Sequence, residues 1–363
     1  MTDRSKLPEA SHGFSFVQET EPSPSTVQIL GGDTWFKPST GGFKIFNSSL
    51  QAWLSPGQTG GGIYGFSIGG YATSADTSDI QRIVFPFDSG VATRVGTLSV
   101  GVRGAGGGCN SSEHMFVIGG VTISTIHKFA FPFDSGTAAV RGAWTPGARY
   151  YVGGFNSSAY GYGGGGYGVS TESAVSRFAF PFDSGDSTNV GTLSYPLFST
   201  STVNSSSYGY WMNGRDTADR SFVLRVAFPF DSGTVSSVGN MSNSCFGSSA
   251  ANSSSHGYAM GGQETAGTSA RSEIDRITFP FDSGTGSNVG TLASNRGNMR
   301  GACNSVSHGY SFGGHDESNV DCSNIHRITF PFDSGVASAI GTLTTAISHN
   351  AHGDDTDFIS QFI

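Results

Sequence analysis

Short segments of alternating apolar and polar residues run along most of the chain and are separated by glycine-rich turns. A representative unit spans residues 299–343, where a small-residue run ending at Asn304 is followed by HGYSFGG, a polar loop, IHRITFPFD and AIGTL. Alternation with a period of two and glycine punctuation predict four short β-strands, A to D, in that order. No segment has a 3.6-residue apolar period long enough for a helix, so we expect an all-β protein.

This four-strand pattern recurs and is marked by the hexapeptide FPFDSG. Its six copies begin at Phe85, Phe131, Phe180, Phe228, Phe279 and Phe330. A period of about 50 residues is typical of β-propeller blades and is too long for leucine-rich or ankyrin repeats. Upstream, Thr26–Gly32, Gly42–Ser49 and Leu50–Leu54 match strands B, C and D of a degenerate further copy. We therefore favour a propeller of seven four-stranded blades, with six as the alternative.

The two ends of the chain are assigned different roles. Residues 1–25 are polar, contain three prolines and lack periodicity, which indicates an attachment segment. We assign residues 26–363 to the propeller, with the degenerate first blade at 26–54, the six FPFDSG repeats at 55–343 and closing strands at 344–363. Strands from both termini that join in one blade would close the ring and remove open sheet edges.

Each FPFDSG copy contains an aspartate and is preceded by a basic residue. The proline cannot donate a ladder hydrogen bond and so belongs at a strand end or edge, while Asp-Ser-Gly is a turn sequence. A cation and a carboxylate that recur once per blade predict a structural ion pair within or between blades. The basic members are Arg82, Lys128, Arg177, Arg225, Arg276 and Arg327, and the acidic members are Asp88, Asp134, Asp183, Asp231, Asp282 and Asp333.

Composition narrows the chemistry further. Of 363 residues, 54 are glycine and 28 are phenylalanine, and only 13% are charged, which suits a large β core. The net charge of -8 gives no electrostatic reason to expect nucleic acid as a partner. The sequence lacks an apolar signal region and a long apolar stretch, so we expect a soluble protein without membrane insertion. Four cysteines without metal-type spacing predict reduced, buried thiols, and we expect no metal and no cofactor.

The segments between the diglycine and strand C differ most among the copies. In a propeller these B-to-C loops share one face with the D-to-A connections. Loops that differ from one another, mounted on a rigid scaffold, are the usual place for binding specificity. Aromatic residues there would stack on sugar rings, and carboxylates would accept hydroxyl hydrogen bonds; the alternative is that these are only solvated loops. The candidates are Tyr71, Trp144, Arg149, Tyr167, Trp211, Asp216, Glu264, Asp316 and Glu317.

The order of landmarks resembles the kelch repeat, although Phe279 and Phe281 stand where kelch blades carry tyrosine. The repeats, most clearly Ser253–Leu292, are also similar to those in structural proteins of tailed bacteriophages, especially cyanophages and other marine phages. This second resemblance covers about residues 60–343. It implies a non-enzymatic virion component of the tail, fibre or capsid exterior, assembled in the host cytoplasm.

From that resemblance we expect contacts with other virion proteins through the N-terminal segment and a possible role in binding a host surface glycan. The first alternative is a glycan-binding adhesin. The alternative from another class is a propeller glycoside hydrolase.

Overall fold

The structure is a computed structural model, in which the chain forms two compact units, residues 1–62 and 63–363. It describes residues 16–17, 34–37, 42–47, 52–54, 64–264 and 269–355. Every regular element among these described residues is a β-strand, so the all-β prediction is confirmed for this part of the chain.

The first unit contains one four-stranded sheet. Its strands are Phe16–Val17 (β1), Thr34–Lys37 (β2), Gly42–Asn47 (β3) and Ala52–Leu54 (β4). β1 is parallel to β2, and β2, β3 and β4 are antiparallel neighbours. β3 and β4 coincide with the strands predicted at 42–49 and 50–54. The strand predicted at 26–32, and all but two residues of the attachment segment at 1–25, lie outside the described residues.

The second unit repeats one four-stranded antiparallel sheet, here called a blade. In chain order its strands are Tyr64–Ala72 (β5), Ala75–Val84 (β6), Gly90–Val91 (β7), Thr93–Leu98 (β8), Gly106–Asn110 (β9), His114–Gly120 (β10), Ile123–Ala130 (β11), Thr137–Ala143 (β12), Gly153–Asn156 (β13), Tyr160–Gly164 (β14), Ala174–Ala179 (β15), Gly185–Asp186 (β16), Thr188–Leu193 (β17), Ser201–Asn204 (β18), Tyr208–Met212 (β19), Phe222–Ala227 (β20), Thr234–Asn240 (β21), Ser249–Asn252 (β22), His256–Gln263 (β23), Ala270–Thr278 (β24), Ser287–Arg296 (β25), Gly301–Asn304 (β26), His308–Phe312 (β27), Asn324–Thr329 (β28), Ser338–Thr342 (β29) and Ala351–Asp354 (β30).

The first strands of the blades form a closed ring. Strand A of each blade contacts strand A of the next, in the cycle β9, β13, β18, β22, β26, β30 and back to β9. These are the A strands of blades 2, 3, 4, 5, 6 and 1, respectively. The last of these, β30, pairs antiparallel with β5, and Ala351 lies opposite Ile68. The C-terminal strand therefore completes blade 1, whose other strands are β5, β6 and β8. We predicted one blade built from both termini; β30 takes part in closing the ring, but it pairs with β5 and not with a described strand of residues 26–54.

The number of blades in this ring differs from the favoured prediction. The cycle of A strands is complete with six blades, each containing one FPFDSG copy. Residues 26–54, which we assigned to a seventh blade, belong to the other compact unit. Within the part of the chain that the structure describes, the alternative count of six is therefore the one observed, because the described residues after Leu343 supply one strand A, which pairs with β5 of the first FPFDSG repeat.

The apolar core is divided into six clusters, and each lies between two neighbouring blades. At every junction an aromatic residue on strand B stacks on the first phenylalanine of FPFDSG in the next blade, with ring centroids 5.1–5.8 Å apart. Cys109, Cys245 and Cys303 are buried free thiols. The repeated phenylalanines thus join blades rather than fill the interior of one blade.

The basic residue of strand C pairs with the FPFDSG aspartate of the following blade. The six pairs are Arg82–Asp134, Lys128–Asp183, Arg177–Asp231, Arg225–Asp282, Arg276–Asp333 and Arg327–Asp88. The last pair joins blade 6 to blade 1. Residues at the end of FPFDSG and just after it also pair in parallel with strand D of the preceding blade, as Gly90 and Val91 do with Gly341 and Thr342. Exposed ion pairs contribute roughly 0–1 kcal/mol each, so their main effect is to set the register between blades.

The diglycine at the end of strand B reverses the chain in every blade. Gly69 and Gly70, for example, have φ angles of +58° and +119°. In blade 4 Asn213 replaces the first glycine at φ +58°, since asparagine tolerates the left-handed region better than most residues. The reversal directs the residue after the diglycine toward the central axis, where the candidate site lies.

Candidate ligand-binding mouth of the ring

A circle of backbone hydrogen bonds lies at the centre of the face that carries the B-to-C loops. Each blade contributes one residue from just before strand A or at its start, and all six have positive φ: Gly104, Tyr151, Ser199, Gly247, Asn298 and His349. The Tyr151 N–H donates to the Gly104 carbonyl (2.7 Å), and the Gly104 N–H donates to the His349 carbonyl (2.9 Å). The remaining hydrogen bonds join neighbouring circle members in the same way, except that Met299 and not Asn298 donates its N–H to the Gly247 carbonyl. The circle fixes the spacing of the six blades at the axis.

Six residue pairs surround this circle. Each joins the residue that precedes a circle member to the residue that follows a diglycine. The pairs are Ser348 with Tyr71, Arg103 with Val121, Tyr150 with Tyr167, Phe198 with Arg215, Phe246 with Gln263 and Gly297 with His315. We call the circle and these pairs the mouth. Unlike the near-identical FPFDSG turns on the opposite face, the mouth positions differ from copy to copy.

One side of the mouth is aromatic. The ring centroid of Tyr150 lies 4.7 Å from that of Tyr151 and 5.3 Å from that of Tyr167. Tyr167 in turn contacts Phe198 at 5.4 Å, and Tyr151 stacks on His349 at 5.4 Å. All five rings are half-buried, so each keeps part of its surface open to solvent. Such a surface offers apolar ring faces to a ligand at a small cost in side-chain entropy.

The mouth is also cationic, although the whole chain carries a net charge of -8. The guanidinium of Arg103 lies 4.7 Å from the Tyr71 ring and 3.3 Å from Asp76. The Arg215 guanidinium lies 5.2 Å from the Phe246 ring, and no carboxylate among the described residues pairs with it. A third arginine, Arg300, lies beneath the circle and 5.1 Å from the Tyr151 ring.

His349 and His352, near the axis, do not add to this positive charge at neutral pH. Burial, together with the charge of Arg300, lowers the pKa of His349 to about 3 and that of His352 to about 4. Burial also lowers the pKa of Arg300, but only to about 10, so this guanidinium stays protonated. The cationic character of the mouth therefore comes from arginines and persists across the physiological pH range.

Of the predicted ligand residues, Tyr71 and Tyr167 lie in the mouth. Arg149 is buried beside it and pairs with Glu172, with 3.4 Å between Nη2 and Oε2. Trp144 and Trp211 require correction, because they are only 2% and 0% exposed and lie in the core. Their rings face neighbouring blades, and the Trp211 indole N–H donates to the carbonyl of Gly153 at 3.2 Å. Neither indole is therefore available to a sugar.

The predicted carboxylates lie in the loops around the mouth. Asp216 pairs with Arg220 of its own loop, and Glu264 pairs with Arg271. Asp316 accepts hydrogen bonds from the backbone N–H groups of Ser318 (2.8 Å) and Val320 (3.0 Å). Glu317 accepts a hydrogen bond from the Asn295 amide. These side chains organise their own loops, and the structure does not bring them together.

The residues predicted from the sequence did not include Tyr150, Phe198, Arg215, Phe246 or Arg300. One available signal was the position directly after the diglycine. It holds Tyr71, Val121, Tyr167, Arg215, Gln263 and His315 in the six copies. Such variation at one position of an otherwise regular repeat indicates a surface that is not required for the fold.

No protein-family model matches this chain, and no curated protein matches it. Among solved structures, YjhT is similar with a TM-score of 0.59 and 11% sequence identity, over 70% of this chain and 88% of YjhT. At this level of identity the likeness concerns the fold alone. Among the described residues, no helix is long and apolar enough to cross a membrane.

Proposed function

We propose that this chain is a non-enzymatic binding protein of a phage particle, and that the mouth of its six-bladed propeller binds a glycan on the host surface. The observation that supports this proposal best is the contrast between the two faces. On one face the FPFDSG turns are nearly identical and make the same inter-blade contacts six times. On the other face the mouth positions vary from copy to copy; the position after the diglycine, for example, holds tyrosine twice and four other residue types once each.

The backbone circle favours binding because it holds the mouth residues in place before a ligand arrives. A preorganised site loses little conformational entropy on binding. Tyr150 and Tyr167 provide adjoining ring faces, and Arg215 provides a cation at the same rim. This combination suits a sugar ring with an acidic substituent, which would stack on the tyrosines while its anionic group approaches the guanidinium.

Assignment to a phage particle rests on the similarity of the repeats to phage structural proteins. In this proposal the N-terminal segment, residues 1–25, contacts other virion proteins. Electron microscopy of the intact particle, with the chain labelled at residue 363, would test this part. Absence of the label from purified particles would contradict it.

The binding part can be tested with the full chain and glycans isolated from host cells. We expect the Tyr150→Ala, Tyr167→Ala double variant to bind about 5- to 150-fold more weakly, because two stacking faces worth about 0.5–1.5 kcal/mol each are removed. A matched control is the Tyr160→Ala, Tyr208→Ala variant, since both tyrosines are half-buried on the opposite face beside Arg177 and Arg225. Equal loss in both variants, or no glycan binding by the wild type, would contradict the proposal.

A further inference from the structure

A small cavity lies on the ring axis directly beneath the backbone circle. It is lined by residues of the A strands and of the segments before them, and its volume is about 10 Å³. This is room for about one water molecule or one monatomic ion. Four of its lining residues, Thr200, Arg300, Asn350 and His352, have a buried polar side-chain atom without a hydrogen-bond partner among the described residues.

Arg300 reaches this cavity from the start of blade 6 and crosses the axis. Its Nη1 donates to the Ser199 hydroxyl (2.9 Å), and its Nη2 donates to the Val152 carbonyl (3.0 Å). Its Nε–H has no partner, and the residue is only 6% exposed. No carboxylate among the described residues forms an ion pair with it. Of the other buried basic residues, Lys128 and Arg149 each pair with a carboxylate. Arg296 also has an unpartnered Nε and donates to the Asn295 carbonyl and the Asn324 amide oxygen, but it does not line the axial cavity.

A buried guanidinium without a counter-charge is strongly unfavourable. A water molecule would satisfy the Nε–H but would leave the positive charge uncompensated. An anion in the cavity would accept a hydrogen bond from the Nε–H and would also compensate the positive charge. The Thr200 hydroxyl, which is 5% exposed and lacks a partner, supplies a second donor. The small volume excludes phosphate, sulfate and carboxylate ligands.

We propose that this cavity binds one monatomic anion, chloride under physiological conditions, between Arg300 and Thr200. The anion would hold the Arg300 side chain in place. Arg300 links blade 6 to blades 3 and 4, because it donates to Val152 and Ser199, which belong to those blades. This site is separate from the proposed glycan site, because it lies beneath the circle and does not depend on what the mouth binds.

The direct test is crystallography of the full chain grown in sodium bromide, with data collected at the bromine absorption edge. We expect one anomalous peak in the cavity, within about 3.5 Å of Arg300 Nε. A cavity that contains only density for water, without an anomalous peak, would overturn the proposal.

A solution test measures the melting temperature as chloride replaces gluconate at constant ionic strength, since gluconate is too large for the cavity. A bound anion should raise the melting temperature by about 2 °C for each tenfold increase in chloride above the dissociation constant. This dependence should vanish in Arg300→Gln and shift to higher chloride in Thr200→Val. It should persist in the control Arg149→Gln, another buried arginine on the same face. A wild type that does not respond to chloride, or an equal response in Arg300→Gln, would refute the site.

Discussion

A hydroxyl group on strand B distinguishes four inter-blade junctions from the other two. Tyr162, Tyr210, Tyr258 and Tyr310 each accept a hydrogen bond, at 3.0–3.2 Å, from the backbone N–H of the second FPFDSG phenylalanine in the next blade. Phe66 and Phe116 occupy the same position in blades 1 and 2. The corresponding N–H groups of Phe133 and Phe182 have no hydrogen bond among the described residues. The repeat therefore contains its own comparison of a made and an unmade hydrogen bond.

This comparison predicts opposite effects for two substitutions. Tyr210→Phe leaves the N–H of Phe281, a residue only 8% exposed, without a partner. An unsatisfied buried donor costs about 1–3 kcal/mol. Phe116→Tyr should provide a partner for Phe182 and contribute about 0.5–1.5 kcal/mol. The Phe116 ring already stacks on Phe180 at 5.3 Å, close to the geometry of Tyr210 on Phe279, so the added hydroxyl should point the same way.

The assay is reversible thermal unfolding of the full chain followed by circular dichroism and calorimetry. For a chain of 363 residues, an unfolding entropy of about 2.1 cal/mol/K per residue gives about 1.3 °C per kcal/mol. Tyr210→Phe should therefore lower the melting temperature by about 1–4 °C, and Phe116→Tyr should raise it by about 1–2 °C. Tyr160→Phe is the control, because the Tyr160 hydroxyl makes no hydrogen bond among the described residues. If Phe116→Tyr is destabilising while Tyr210→Phe is neutral, the junctions are not held by this hydrogen bond.

Three further predictions concern closure, packing and pH. Deletion of residues 344–363 removes β30 from blade 1 and should lower the melting temperature severely; an unchanged melting curve would contradict closure by this strand. Gly341→Ala places a Cβ against the Gly90 carbonyl and 2.8 Å from the Phe87 ring. Urea titration should therefore show that the free energy of unfolding falls by about 3 kcal/mol or more. The control Gly90→Ala should lower it by about 1–2 kcal/mol, because there only the positive φ is strained. The pKa values of His349 and His352 are lowered to about 3 and 4, so as the pH falls the unfolded chain binds protons before the folded chain does. Stability should therefore be full above about pH 6.5 and should fall progressively toward pH 4. A flat profile of melting temperature over this range would argue against burial of these rings.

Local features of the sequence were sufficient to predict the strands and turns of the repeat. Period-two alternation marks a strand whichever blade it joins, and the diglycine marks a bend because few other residues adopt two successive positive φ angles. The recurrence of a cation and an aspartate likewise predicted an ion pair. Whether the pair forms within one blade or between two remained open, because sequence spacing is compatible with both.

Only the tertiary structure decided the number of blades, the pairing of the FPFDSG aspartates and the composition of the mouth. The blade count depends on which segment pairs with β30, and the Ala351–Ile68 register joins residues far apart in sequence. Trp144 and Trp211 lie near variable loops in the sequence, but their orientation places them against neighbouring blades. The mouth is likewise formed by single residues from six blades, and their proximity arises only because the ring closes around one axis.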